Sequence, residues 1–211
     1  VKRLFTVLLR GLGSRPRVAA LALLSIVAIA LGIAVRTASL VDRTDAQWRL
    51  VDAYGFSLLV PVVALVFASA ALGDPAEDGT LVYLWLRPVA RWKLALAAFA
   101  ASLTAALPVA VVPLTIATAI AGGSGRLIAA AAVGGTLASV AYAAVFCGLG
   151  LRVRRALVWG LVYLLIWEQA VARLSHGAAR LSLFINTRSL AARIAGHPPP
   201  RNAVSTPVGL I

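Results

Sequence analysis

The amino-acid sequence predicts an all-α fold, a polytopic bundle of transmembrane helices, on three observations. Its 211 residues are 61% hydrophobic with a mean hydropathy of +0.93, more than a water-soluble domain of this size needs to fill its core. The apolar residues fall into runs at least as long as the roughly 17–25 residues a helix needs to cross a bilayer. Short polar segments separate these runs, so consecutive helices are expected as antiparallel hairpins within one domain over residues 1–211.

The charge balance agrees with a membrane. There are 20 Lys+Arg against 7 Asp+Glu, a formal net charge of +13. In a soluble chain that excess would suggest nucleic acid. Here the basic residues flank apolar runs, where anionic lipid headgroups are the natural partner, so the bilayer and not nucleic acid is the expected contact. Cys147 is the single cysteine, which excludes an intrachain disulfide and a cysteine-based metal site. His176 and His197 have no acidic or cysteine neighbour at ligand spacing, and no metal site is expected.

Residues 1–17 come first. On a helical wheel Leu4, Phe5, Leu8, Leu9 and Leu12 fall within about 140°, opposite Lys2, Arg3, Thr6 and Arg10, with Val7 as the exception. This pattern predicts an interfacial helix on the inner membrane surface, and Gly11, Gly13 and Pro16 predict a bend after it. The basic leader and apolar run have the outline of a signal peptide, but no small-residue cleavage site follows, so a retained first span is expected.

The spans follow as residues 18–35, 53–72, 94–121, 127–151 and 156–172, with 173–211 as an external tail. The fifth contains Glu168 and Gln169, and Glu168 reads as the one acid inside an apolar run, an intramembrane carboxylate that Arg173 could offset. Asp42, Asp45 and Asp52 fall in the loop before the second span, where they offset Arg36, Arg43 and Arg49. Pro61, Pro108 and Pro113 should kink their helices and free carbonyls that neighbours must satisfy. In the fourth span Ala130, Gly134 and Ala138, and beside them Ala131, Gly135, Ser139 and Ala143, form ridges that let another helix approach closely. Trp48, Tyr54, Trp92, Trp159 and Trp167 sit near span ends, as an interfacial belt would.

Orientation follows from the basic residues beside the spans. A cytoplasmic N-terminus puts eleven Lys or Arg inside and nine outside. The compact run Arg152-Val153-Arg154-Arg155 lies on the inner side with no acid to offset it.

Chemistry is sparse. A phosphate-binding loop needs a glycine-rich turn followed by a lysine, and this chain has only Lys2, at its terminus, and Lys93, which no glycine turn precedes. The chain is therefore not expected to bind ATP by that route. The connection 73–93, GDPAEDGTLVYLWLRPVARWK, carries Asp74, Glu77 and Asp78 early and Arg87, Arg91 and Lys93 late, as suits a helix dipole, with Pro75 and Pro88 bracketing it. Between them Leu81, Tyr83, Leu84, Trp85 and Leu86 supply an apolar face suited to a membrane surface or a partner's groove.

The run Glu77-Asp78-Gly79-Thr80-Leu81, then Tyr83-Leu84, then Arg87-Pro88-Val89-Ala90-Arg91 resembles the E-x-G-T-L…L-x-x-P-V-x-R signature of the type-2 ABC exporter permeases, which lies between their second and third spans. Tyr163–Glu168 with Leu181-Ser182-Leu183 is similar to the end of the fifth span and the external segment in one branch of that family.

The resemblance implies a permease subunit of an ABC transporter in the cell (plasma) membrane, itself no enzyme and without a cofactor. ATP and Mg would be bound by a partner ABC ATPase, and a second permease copy or homologous permease would complete the transporter. The interfacial helix and the 73–93 loop would dock the ATPase, with Glu77, Gly79, Thr80, Leu84, Trp85, Arg87, Pro88 and Arg91 in the coupling region. Family members have six spans, and Pro207-Val208-Gly209-Leu210 would begin a sixth.

Two other readings compete. One is an ATP-independent channel or assembly protein. The other is a rhomboid-like intramembrane protease, from the similarity of Gly122-Gly123-Ser124-Gly125 to G-x-S-G, with Ser124 as nucleophile and His176 or His197 as base. It is disfavoured because no histidine precedes residue 176 and four small residues between helices are ordinary turn chemistry.

Overall fold

The computed structural model describes residues 2–39, 41–77, 79, 90–153, 155–166 and 183–197, and among them the fold is helical without strands. In chain order the elements are α1 (Lys2–Leu12), α2 (Arg15–Thr37), α3 (Arg43–Arg49), a π-helical segment (Leu50–Leu59), α4 (Val60–Glu77), α5 (Arg91–Ile120), α6 (Gly125–Arg152), α7 (Ala156–Val162) and α8 (Leu183–Ala195). Four apolar stretches among the described residues are long enough to cross a membrane: Pro16–Thr37, Arg43–Asp74, Trp92–Ile120 and Gly125–Arg152. The helix at the fifth run is described over Ala156–Ile166, and Glu168 and Trp167 lie outside the described residues.

The bundle is organised around its second long helix. Of the apolar window in Arg43–Asp74, 78% is buried, against 22% in Pro16–Thr37. Val51, Leu59, Val60, Val63, Leu65 and Leu72 are fully enclosed, and α5, α6 and α7 pack around them. Helix α2 leans on α5 and the π-helical segment and turns Leu23, Ile26 and Ile33 outward, as a helix solvated by lipid does.

The small-residue ridges of α6 are buried and face two different neighbours. A Cβ on Gly134 would stand 2.8 Å from Phe56 Cζ and 3.3 Å from the Ala191 methyl, whereas one on Gly135 would stand 3.4 Å from Val111. One ridge therefore receives the π-helical segment and α8, and the other receives α5. Dispersion contacts at such short range replace the hydrophobic drive that lipid cannot provide.

Helix α5 runs through both Pro108 and Pro113. Proline has no N–H, so Pro113 leaves the carbonyl of Val109 without its helical donor. The Ser25 hydroxyl of α2 donates to that oxygen at 2.7 Å. The neighbour that the sequence required is thus Ser25. Ser25→Ala should lower stability in detergent by about 1 kcal/mol, and in a Pro113→Ala background, which restores the N–H, the same replacement should cost less. A thermal-unfolding double-mutant cycle reads the difference.

The π-helical segment was not predicted. Val60 donates its N–H to Gly55, five residues back, and Pro61, next in line, has no N–H to continue the wide ladder. The chain resumes as an α-helix from there. This stretch makes one unbroken helix of Arg43–Glu77, so Asp52, expected in the preceding loop, instead lies buried within it. The correction has a clear physical cause: Asp52 pairs with Arg188 of α8, with Nε to Oδ1 at 2.7 Å, and a paired charge can enter an apolar segment that a lone one would end. Glu168 is therefore not the one acid among the apolar segments.

Candidate functional site

At one end of the bundle α1 returns against α4 and α5. Leu8 and Leu12 are buried there, with Phe5 and Leu9 packed alongside, and Val7 is 64% exposed, in keeping with its place outside the apolar arc. The side chain of Leu4 lies outside the described residues. The helix breaks at Gly13 and Ser14, and Pro16 occupies the first turn of α2, where a missing N–H costs nothing.

Directly after this bend Arg17 reaches Asp74 in the last turn of α4, with Nη2 to Oδ2 at 2.9 Å. Asp74 and Glu77 were expected to open a new helix, but α4 continues to Glu77 and carries Pro75 inside its final turn. Acids at a helix C-terminus oppose its dipole. The Arg17 guanidinium offsets Asp74 and thereby ties the start of the first span to the end of the second.

Of the expected coupling residues, Gly79 is described as an exposed turn residue with φ +69°, a conformation that favours glycine. Thr80, Leu84, Trp85, Arg87 and Pro88 lie outside the described residues. Glu77 ends α4 and Arg91 begins α5, their side chains likewise undescribed. Beyond Arg91, Trp92 is 64% exposed with Lys93 Nζ 5.5 Å from its ring centroid, and Trp159 on α7 is also exposed. These two fit an aromatic belt.

Trp48 and Tyr54 do not. Trp48 is buried and stacks on His197 with ring centroids 4.9 Å apart, while the Tyr54 hydroxyl donates to the Leu24 carbonyl of α2 at 2.6 Å. Trp48 belongs to the opposite end of the bundle, where short polar contacts close the helix turns. Arg36 Nη1 donates to the Ile120 carbonyl at 3.2 Å and Gln47 Nε2 to that of Ala121 at 2.8 Å. Asp42 caps α3, and the Thr44 hydroxyl and the Asp45 amide hold its carboxyl below the usual carboxylate range. A lowered folded-state pKa means that this cap contributes above the ordinary carboxylate range and is lost as pH falls through the lowered value.

Ser124 is part of the same closure. Its hydroxyl accepts the Leu127 N–H at 3.3 Å as the N-cap of α6, after a turn in which Gly122 has φ +79°. A serine in this position is explained by capping, and His197 is engaged with Trp48. Buried Cys147 lies 3.7 Å from the Ser102 hydroxyl, as a small core residue would. No group of three or more potential metal ligands occurs among the described residues.

The polar groups named above thus serve helix ends and helix-to-helix contacts, while Ser139, Thr118 and Ser189 return their hydroxyls to carbonyls of their own helices, and one end of the bundle is shaped by α1 and Arg17–Asp74. Comparisons with curated proteins and with solved structures return no match. The family model described as ABC-2 family transporter protein matches residues 15–171, which takes in every long helix and the connection between α4 and α5. The chain belongs to the ABC-2 transporter family, as a multi-pass membrane permease.

Proposed function

We propose that this permease works as an exporter subunit in the plasma membrane, with its N-terminus in the cytoplasm, driven by Mg-ATP hydrolysis in a separate ABC ATPase and completed by a second permease copy or a homologous permease. The observation that carries the reading is the Arg17–Asp74 ion pair. It joins the α1–α2 bend to the final turn of α4, so that α1 and the end of α4, the two described elements that lead into the segments expected to dock the ATPase, lie side by side. A force applied to either would reach the first two spans together. The direction of transport rests on the E-x-G-T-L…P-V-x-R resemblance.

Gentle detergent extraction of the intact protein should bring down an ATP-binding subunit with Mg-dependent ATP hydrolysis; extraction without one would favour the channel or assembly reading. Orientation has its own test, in a Cys147→Ala background. A cysteine replacing exposed Ser124 should react with an impermeant maleimide from outside the cell and one replacing exposed Arg152 should not. Reversed labelling would overturn the cytoplasmic N-terminus, and loss of all activity with Ser124→Cys alone would revive the protease reading.

A further inference from the structure

We propose that the turn between α6 and α7 is a binding site for an anionic phospholipid, in which Arg152 and Arg155 hold the headgroup phosphate and the outward face of α6 next to Arg152 receives an acyl chain. The site goes beyond the transport reading and does not depend on the ATPase.

The first observation is a backbone that keeps an arginine at a cost. Among the described residues φ is positive at Gly79, Gly122, Gly196 and Arg155. Glycine adopts this conformation freely. Arg155, at φ 58° and ψ 46°, does not, because in the left-handed region the Cβ of an L residue crowds its own backbone. The bend itself serves α7: the Arg155 carbonyl accepts the N–H groups of Val158 and Trp159 at 3.0 and 3.3 Å. The arginine side chain adds nothing to that start, since it is a donor only and makes no cap hydrogen bond. Strain kept at an exposed residue points to a task for its side chain.

The second is charge. The sequence contains no Asp or Glu from Gly79 to Trp167, so α5, α6 and α7 bring no acid of their own to this turn. At this end of the bundle, where a Cβ on Gly73 would stand 4.0 Å from the Ala156 methyl, the described carboxylate is Asp74, and Arg17 holds it at 2.9 Å. Arg152, in the last turn of α6, and Arg155 are both exposed. Two cations three residues apart therefore face outward from a turn that contains no acid, the arrangement that attracts anionic lipid at a membrane surface.

The third is the apolar surface beside those cations. Trp159 lies one turn beyond Arg155 and is exposed, as is Val158 next to it, and an exposed indole at a span end marks the headgroup level. On α6, Ala144 and Gly148 stand in one row with Arg152 at four-residue spacing, and both are exposed. A Cβ on Gly148 would meet nothing within 4 Å. This row is a shallow track of small residues that ends on a guanidinium. A phosphate with an acyl chain attached matches the cations and the track together. A free phosphate would use the cations alone, and a soluble subunit cannot reach a row that runs into a membrane span.

The test is native mass spectrometry and thermal unfolding of the intact chain in detergent, titrated with dioleoylphosphatidylglycerol or dioleoylphosphatidylcholine. The anionic lipid should bind about twentyfold more tightly, and Arg152→Gln and Arg155→Gly should each lower that preference about fivefold. Arg43→Gln, at the opposite end, should leave it unchanged, and millimolar inorganic phosphate should not displace the lipid. Arg155→Gly separates lipid binding from folding. Without added lipid its thermal midpoint should hold or rise, because glycine relieves the left-handed backbone, while its preference for phosphatidylglycerol falls. Equal affinity for the two lipids, an unchanged preference in both arginine variants, or displacement by phosphate alone would overturn the site. A preference that falls only together with the midpoint would reduce Arg155 to a structural role and overturn it as well. Arginine variants that keep the lipid preference but lose a co-purifying ATPase would make the turn a protein-docking surface instead.

Discussion

Gly32→Ala should destabilise the protein by about 3 kcal/mol, while Gly148→Ala in α6 should be neutral or slightly stabilising. Both replacements add one methyl to a membrane helix. A Cβ on Gly32 would meet the Ala117 carbonyl oxygen at 2.5 Å and its carbon at 3.0 Å, whereas one on Gly148 would meet nothing within 4 Å. The obstacle at Gly32 is backbone of α5, which no side-chain rotation can relieve. Helices α2 and α5 must therefore part, stretching the Ser25–Val109 and Arg36–Ile120 hydrogen bonds that lie to either side of Gly32. Thermal unfolding in detergent should show a large fall in midpoint for Gly32→Ala alone. Equal midpoints for the two variants would contradict the close approach of α2 and α5.

The largest functional effect is expected from the connection between α4 and α5. If Leu84 and Trp85 anchor the ATPase contact, Leu84→Asp puts a charge in an apolar groove and Trp85→Ala removes an aromatic anchor, each a loss of about 2 kcal/mol or more in binding. Coupled ATP hydrolysis should then fall about thirtyfold, at unchanged insertion and unchanged thermal midpoint. Arg87→Glu should act in the same direction but chiefly at low salt, because an exposed charge is screened over about 8 Å at physiological ionic strength. Full coupled activity in Leu84→Asp, with the ATPase still bound, would contradict the docking role. A fall in thermal midpoint with the partner retained would instead assign the apolar face to the membrane surface.

Much of this fold is written in the sequence, and the exceptions share one cause. Long apolar runs announce helices α2, α5 and α6 because lipid tolerates little else, and the i, i+4 spacing of Gly134 with Ala130 and Ala138 announces a contact ridge. Pro113 announces an orphaned carbonyl, but only the folded chain brings Ser25 to it. Asp52 reads as loop because a scan for charge-free runs must stop at a charge; its partner Arg188 lies beyond two more hairpins. Trp48 reads as an interfacial anchor for the same reason, since the His197 ring that covers it comes from the far end of the chain. The widening at Leu50–Leu59 has one local signal, Pro61 at its end, and that signal also fits an ordinary kink. Periodicity and composition are local properties. Pairings between distant residues are tertiary, and these decided the polar contacts.

The candidate coupling region was legible as a motif and not as geometry. Glu77, Gly79, Arg87, Pro88 and Arg91 stand out through the family resemblance, and Gly79 at φ +69° needs its glycine. What the sequence could not reveal is that α4 extends through Asp74 and Pro75 and is held there by Arg17. That contact ties the start of α2 to the end of α4 and underlies the proposal that α1 and residues 73–93 meet one partner.

The most direct measurement is site-specific photo-crosslinking in intact cells. A benzoylphenylalanine replacing Trp92, exposed at the start of α5, should capture an ATP-binding subunit that mass spectrometry recognises by its phosphate-binding loop. The same group replacing Arg43, exposed at the opposite end, should capture none. Capture of the ATPase from Arg43 and not from Trp92, or from neither position in cells that make the complex, would contradict the proposed coupling face.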